Sequence, residues 1–401
     1  MKKIELSAPV GDFPSLIAAI KSKADSIYFG IEHLNMRNSS KNFSITDISE
    51  ISKYCKKNHV RAYITLNTLI YDKDLSLMKK ICDVAKKEKI DSIIASDLSV
   101  IQYANKIKLK VHISTQQNIS NIESIKFFSK YADVIVLARE LDLTQIKQIS
   151  NTIKKEKIYG PSKKPLKIEI FIHGAMCVAI AGRCYMSLMQ YNLSSNRGKC
   201  LQPCRRRYKV TDEETGKELI IDNKYVMSPK DLCTISFLDK IIESGVDILK
   251  IEGRARSPEY VQTVVSTYKK AILSIKEKKF SKDKIKKWID SLKTVYNRGF
   301  WEGYYLRKKT DAWSSCYGSK ASYKKKYIGK ITNYFSKIKI VELLLEAGRL
   351  KKNDDILIIG NSTGVVKHKL KNFITHTDNI ITFPINKKIK KNDKLYLIKK
   401  R

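Results

Sequence analysis

Residues 4–30, IELSAPVGDFPSLIAAIKSKADSIYFG, decide the fold. A short apolar run, IELSAPV (4–10), gives way at Gly11 to FPSLIAAIKSKA, where apolar residues recur at helical spacing. A second run, SIYFG (26–30), follows. This is a strand–helix–strand unit with too few polar positions for a half-solvated strand, so both strands read as parallel and buried on both faces. The same alternation continues through RAYITLN (61–67), SIIASD (92–97), KVHISTQ (110–116), VIVLARE (134–140), IEIFIHG (168–174) and ILKIEGR (248–254). Between them lie amphipathic segments such as ISEISKYCKKN, DLSLMKKICDVAKKEK and TQIKQISNTIKKE. Eight strands, each followed by helical sequence, predict an α/β fold of the TIM (β/α)8-barrel type. A doubly wound open sheet is the competing arrangement.

A barrel of this kind carries its chemistry at the C-terminal ends of its strands. Polar residues and glycines recur at those ends: Gly11, Gly30, Asn67, Asp97, Gln116, Arg139, Glu140, His173, Glu252 and Arg254. The longest connection, about 175–235, lies between the seventh and eighth strands and so falls on the same face. Beyond the eighth strand, PEYVQTVVSTYKKAILSIKEK and KDKIKKWIDSLKTVY read as helices that complete a first domain, 1–320. From about residue 325 the pattern changes to short alternating strands: YIGKITNYF, KIKIVELLL, DDILIIG, NIITFPI and DKLYLIKK. These predict a small antiparallel β-barrel domain, 325–401, serving either nucleic-acid binding or docking.

The 401-residue chain carries 78 Lys and Arg against 40 Asp and Glu, a formal net charge of +38. Nucleic acid is the partner such charge suits, although lysine enrichment also accompanies AT-rich coding. Arginine is more selective. Only 14 of the basic residues are Arg, and Arg183, Arg197, Arg205, Arg206, Arg207, Arg254 and Arg256 lie within one short stretch. Guanidinium suits phosphate and carboxylate, so this clustering predicts an anion site. No apolar run approaches the roughly 20 residues of a membrane span. The opening MKKIELSAPVGDF lacks the apolar core of a signal peptide, which predicts a cytoplasmic protein with reduced thiols.

Against that background the loop after strand seven, HGAMCVAIAGRCYMSLMQYNLSSNRGKCLQPCRRRYKV (173–210), holds four of the eight cysteines. The spacing is Cys177-x6-Cys184-x15-Cys200-x3-Cys204, with Cys233 following in SPKDLC. Paired Cys-x2-Cys zinc sites and the Cys-x3-Cys-x2-Cys radical motif are both absent. An iron–sulfur cluster, zinc and unligated thiols stay open as readings, and dispersed thiolates fit the first. Cys55 and Cys82 fall on amphipathic helices as small core residues, and Cys316 has no assigned role. Zinc-protease, nucleophile-elbow, dinucleotide-fold and P-loop motifs are also absent. His173 is a catalytic candidate, with an ordinary structural histidine as the alternative. Glu252 and Arg254 are expected to form an ion pair that positions a substrate, with an ordinary barrel-mouth salt bridge as the alternative.

These residues resemble a known family. ELSAPVGDFPSLIAAIKSKADSIYFG is similar to the opening of the collagenase-like peptidases, peptidase family U32. HGAMCVAIAGRCYMS resembles that family's signature, and NRGKCLQPCRRRY, SPKDLC, LKIEGRARSPEYVQTVVSTYKKAI, STQQNISN and VLARELDL resemble further blocks. The likeness spans roughly residues 1–320, and the C-terminal segment resembles the extension of longer members. The better-understood members are oxygen-independent hydroxylases that carry a [4Fe-4S] cluster. One group forms 5-hydroxyuridine at the tRNA wobble position with prephenate as hydroxyl source. Another, much longer, hydroxylates a cytidine of 23S ribosomal RNA. A third, short and without the β-domain, acts in anaerobic ubiquinone synthesis. Length and the β-domain place this chain nearest the tRNA group. The resemblance implies Cys177, Cys184, Cys200 and Cys233 as cluster ligands, with Cys204 as an alternative. It implies tRNA and prephenate as partners, and the substrate-binding candidates read from the residues are Gln116 and Arg139 at the strand ends and Arg183, Arg205, Arg206, Arg207 and Arg256 in the arginine cluster. A U32 peptidase and a non-catalytic RNA-binding iron–sulfur protein are the competing functions.

Overall fold

The computed structural model describes residues 3–209, 211–216, 225–307 and 312–401; part of the expected long connection, 217–224, lies outside the described residues. Eight parallel strands form a closed ring. They are β1 (Glu5–Pro9), β2 (Ser26–Gly30), β3 (Arg61–Leu66), β4 (Ser92–Ala95), β5 (Val111–Ile113), β6 (Val134–Val136), β7 (Lys167–Gly174) and, after the short β8 (Asp231–Cys233), β9 (Ile248–Ile251). Neighbours in sequence are neighbours in space, and β9 pairs with both β7 and β1 through Ile248, opposite Glu169 and Glu5. The closed barrel is therefore the arrangement formed, and the open sheet is not.

Several strands end earlier than their apolar runs imply. β3 stops before Asn67, β4 before Asp97, β5 before Gln116 and β6 before Arg139. The polar residues leave the ladder there and become the barrel mouth. The helices begin on this face, and aspartates cap three of them. Asp12 accepts from Ser15 N at 3.0 Å, Asp97 from Ser99 N at 2.9 Å, and Asp142 from Thr144 N at 2.7 Å. Leu6, Ile27, Ile64, Ile93, Ile113 and Leu249 are buried between the strands and the helical shell.

Two short strands extend the sheet outside the ring. β8 runs antiparallel to the end of β7, with His173 opposite Cys233, and β10 (Phe300–Trp301) pairs with β8. The sequence reading contained neither.

The C-terminal segment is a seven-stranded antiparallel sheet: β11 (Tyr323–Phe335), β12 (Ile340–Leu345), β13 (Asp355–Gly360), β14 (Gly364–Lys369), β15 (Ile374–Thr377), β16 (Ile380–Pro384) and β17 (Lys394–Lys400). The order is β14-β13-β17-β11-β12-β16-β15, around a core of Ile328, Ile331, Leu343, Ile356, Ile358 and Phe383. Its β14 edge is covered by the barrel's first helix, Phe13–Lys21, rather than left open to further strands. Ala18 packs on Leu357 and Val365, and Lys21 Nζ donates to Thr363 O at 2.9 Å. Gly364, at φ +70°, lies so close that a Cβ there would sit 2.7 Å from Ile17 Cγ2.

Candidate active site at the barrel mouth

A pocket of about 60 Å³ opens inside the mouth, lined by Tyr28, Arg37, Thr65, Asn67, Gln116, Arg139, Phe171, Lys250, Glu252 and Arg254 among others. Its charges are layered. At the floor, Lys250 Nζ lies 2.8 Å from Glu169 Oε1, and His112 Nδ1 lies 3.4 Å from Glu169 Oε2, with all three side chains buried. Burial works to raise the Glu169 carboxyl, but Lys250 and His112 outweigh it and hold the group at about 2. Lys250 also sits 4.4 Å from the centre of the Tyr28 ring. Above this floor, Arg37 Nη2 donates to Glu252 Oε1 at 2.9 Å. Burial pushes Glu252 up, and Arg37, Arg139 and Arg254 together bring it down to about 2. The mouth thus holds three guanidinium groups around one carboxylate.

Each guanidinium has a fixed posture. Arg254, 5% exposed, donates from Nη1 to Thr65 Oγ1 at 2.7 Å. Gly30 makes room for it: a Cβ there would come within 2.3 Å of Arg254 Nη1. Arg139 lies 3.9 Å over the Phe171 ring and donates to Ala175 O at 3.0 Å. Gln116 accepts from Asn67 Nδ2 at 3.0 Å and from Ser114 Oγ. Four expected residues, Gln116, Arg139, Glu252 and Arg254, therefore meet in one pocket. The expected Glu252–Arg254 pair does not form, because the chain leaves the strand after Ile251 and Arg37 takes that place. Arg37 and Lys250 were missed by the sequence reading. Arg37 stands alone in NMRNSSKN, outside the arginine-rich stretch, and its rarity in a lysine-rich chain was the available signal. Lys250 interrupts an apolar strand, a second signal.

The other expected residues lie elsewhere. His173 is 2% exposed, among Tyr260, Tyr268 and Phe300, and burial with Arg256 nearby lowers it to about 3, so it is neutral. It does not line the mouth pocket. Arg205 is tied to Ser228 Oγ at 3.0 Å, Pro229 O at 2.8 Å and Met176 O, which clamps the loop after β7 onto the segment before β8. Arg206 reaches Tyr191, and Arg207 donates to Tyr225 Oη at 2.7 Å. Arg256 stacks 3.6 Å over Tyr296, while Arg183 is exposed on the cysteine-rich loop.

That loop folds over the mouth. Its turn at Gly182 approaches Met36 and Gln116, Gly198 packs on Asn35, and Arg197 joins Asp74 and Leu69 O. Cys177 is exposed, and Cys184, Cys200 and Cys204 are half-buried. These four share one electrostatic neighbourhood. Burial raises Cys204 to about 11, with Arg205 opposing and Cys177, Cys200 and Cys184 adding to it. Cys177 also acts on Arg37, which links the thiols to the mouth. Cys233 stands apart, buried against Tyr268 Oη at 3.9 Å, and burial raises it to about 11. Among the described residues no three His, Cys, Asp or Glu side chains converge closely enough to hold a metal ion. A four-thiol donor set is nonetheless the chemistry of iron–sulfur and structural zinc sites.

The model of peptidase family U32 matches residues 11–315. The chain is 47% identical over 406 residues to a Porphyromonas gingivalis protein named collagenase, covering 99% of this chain and 98% of that one. It is 30% identical over 409 residues to tRNA hydroxylation protein P1 of Bacillus subtilis, covering 97% and 93%. It is also 32% identical over 278 residues to the 23S rRNA 5-hydroxycytidine C2501 synthase of Escherichia coli, covering 69% of this chain and 40% of that longer protein.

Proposed function

The chain belongs to peptidase family U32, and we propose that it is an RNA hydroxylase that forms 5-hydroxyuridine in tRNA. The observation that carries the reading is the mouth itself: an excess of two positive charges in a small pocket beside a four-thiol loop. Relatives named for tRNA hydroxylation and for rRNA hydroxycytidine synthesis support the reaction class. A dicarboxylate hydroxyl donor such as prephenate matches the excess charge, because desolvating two carboxylates requires cationic partners. In this reading Arg37, Arg139 and Arg254 bind the carboxylates, Glu252 holds Arg37 in place, and Thr65 orients Arg254. Phe171 fixes the plane of Arg139, and the loop at Gly182 narrows access of water from above. Cys177, Cys184, Cys200 and Cys204 would hold a [4Fe-4S] cluster, with Cys233 the spare thiol. Such a cluster, when bound, supplies one-electron transfer.

A second reading, peptidase, is favoured by the relative named collagenase. The mouth does not suit it. Thr65, Ser114 and Thr115 are hydrogen-bonded to Arg254, Gln116 and Leu137 O, and among the described residues no histidine lines the pocket to activate any of these hydroxyls. Mass spectrometry of tRNA nucleosides from a deletion strain separates the two. Loss of 5-hydroxyuridine-derived nucleosides is expected. Unchanged tRNA together with loss of a peptide-cleaving activity would replace the first reading by the second.

A further inference from the structure

A larger cleft, about 900 Å³, lies between the barrel and the C-terminal sheet. Its cations come from both units: Lys41 and Arg256 from the barrel loops, and Lys325, Lys390, Lys391 and Lys394 from the β-domain. Arg254 lines both this cleft and the mouth pocket, so the two share a wall. The backbones of two barrel loops meet there, with no room for a side chain at Gly11: a Cβ would fall 2.3 Å from Arg254 O.

Two acids line the cleft, and both are used internally. Asp12 caps its helix through Ser15 and lies 3.6 Å from Lys41. Asp393, 3% exposed, accepts from Thr363 Oγ1 and from Lys390 N at 2.9 Å. The loop INKKIKKNDK (385–394) is pinned at three points, where Ile385, Ile389 and Asp393 are buried, while Lys387, Lys388, Lys390, Lys391 and Lys394 project outward. Among the described residues, Lys390, Lys391 and Lys394 form no ion pair. Lysines on a pinned loop facing a concave wall are a preformed polyanion surface, unlike lysines on a solvated helix face.

We propose that this cleft is a track for the RNA sugar–phosphate backbone, which runs across the β-domain loop and delivers a nucleotide to the barrel mouth. The assignment gives the C-terminal sheet its role and rests on the RNA reading above.

The test is the salt dependence of binding of a labelled, unmodified tRNA transcript by the full chain. The slope of log affinity against log salt reports the number of phosphates neutralised. The triple variant Lys390→Gln, Lys391→Gln, Lys394→Gln should flatten that slope by about two to three units. The comparison variant is Lys57→Gln, Lys87→Gln, Lys155→Gln. These lysines end the helices Asp47–Lys57, Leu75–Lys87 and Leu143–Lys155, on the barrel face away from the mouth. It should leave the slope unchanged. All six side chains belong to exposed residues, and matching thermal midpoints will establish intact folding. Wild-type binding with an unchanged slope in the cleft variant, or equal flattening in both variants, overturns the cleft and leaves the RNA reading intact. A wild-type chain that does not bind the transcript overturns both.

Discussion

Lys250 and Glu252 stand two residues apart at the end of β9 and line the same pocket, yet their surroundings obey different rules. Around Lys250 the charges close. Glu169 takes Lys250 and faces His112, and one strand over Glu5 takes Arg61 and the Tyr63 hydroxyl. Around Glu252 they do not, since three guanidinium groups share one carboxylate. Matched buried charges serve as scaffold. Surplus charge at a half-buried mouth, where Arg254 is buried and Arg37 and Arg139 only partly so, costs folding free energy that an anionic ligand offsets when it binds. Charge balance, more than the kind of residue, separates floor from mouth.

The largest expected effect concerns what each region holds. Anaerobically prepared protein should carry about four irons per chain if the cluster is a [4Fe-4S]. Cys177→Ala, beside the mouth, and Cys204→Ala should bring iron close to zero. Cys55→Ala should keep it, since Cys55 is buried in the shell, where burial raises its thiol to about 12. Stoichiometric zinc without iron would remove the cluster. Retention of iron in Cys204→Ala with loss in Cys233→Ala would exchange the fourth ligand.

Next comes the floor. Glu169→Gln leaves Lys250 charged, buried and unpaired, which should destabilise the fold by about 3–5 kcal/mol. Adding Lys250→Met should recover much of that loss. The acid limb gives the sign. Glu169 is depressed from its ordinary 4.5 to about 2. Its contribution is therefore complete above the ordinary value and fades as pH falls towards the depressed one. The gap in thermal midpoint between wild type and Glu169→Gln should narrow from pH 5 down to pH 2. A constant gap would mean that the pair does not titrate with folding.

The barrel was legible because its strands are apolar runs of nearly constant spacing, and their polar ends foretold Gln116, Arg139, Glu252 and Arg254 at the mouth. The partners of those residues were not legible. Arg205 finds Ser228 and Pro229 across a loop that has no period. His173, at a strand end like the others, is covered by β8, a strand too short to announce itself. Arg37 reaches Glu252 across 215 residues of chain. Sequence pattern gives the face on which a residue lies, whereas charge pairing depends on which loops fold over that face.

The smallest effect in free energy is also the one that separates the two regions most directly. Arg254 lies at the boundary, buried like the floor, but among the described residues its guanidinium hydrogen-bonds to the neutral Thr65 and to no carboxylate. If it belongs to the scaffold, lysine keeps the charge and can still reach a hydroxyl, so function should survive. If it belongs to the mouth, its fork meets a carboxylate that a single ammonium grips less well. Arg254→Lys should therefore keep the wild-type thermal midpoint, iron content and tRNA affinity. It should lower 5-hydroxyuridine-derived nucleosides in cells about tenfold or more, equivalent to ~1.4 kcal/mol. Thr65→Val, which frees the guanidinium but keeps the fork, should cost less than Arg254→Lys. Wild-type nucleoside levels in Arg254→Lys would return Arg254 to the scaffold and leave Arg37 and Arg139 as the only guanidinium groups facing the ligand.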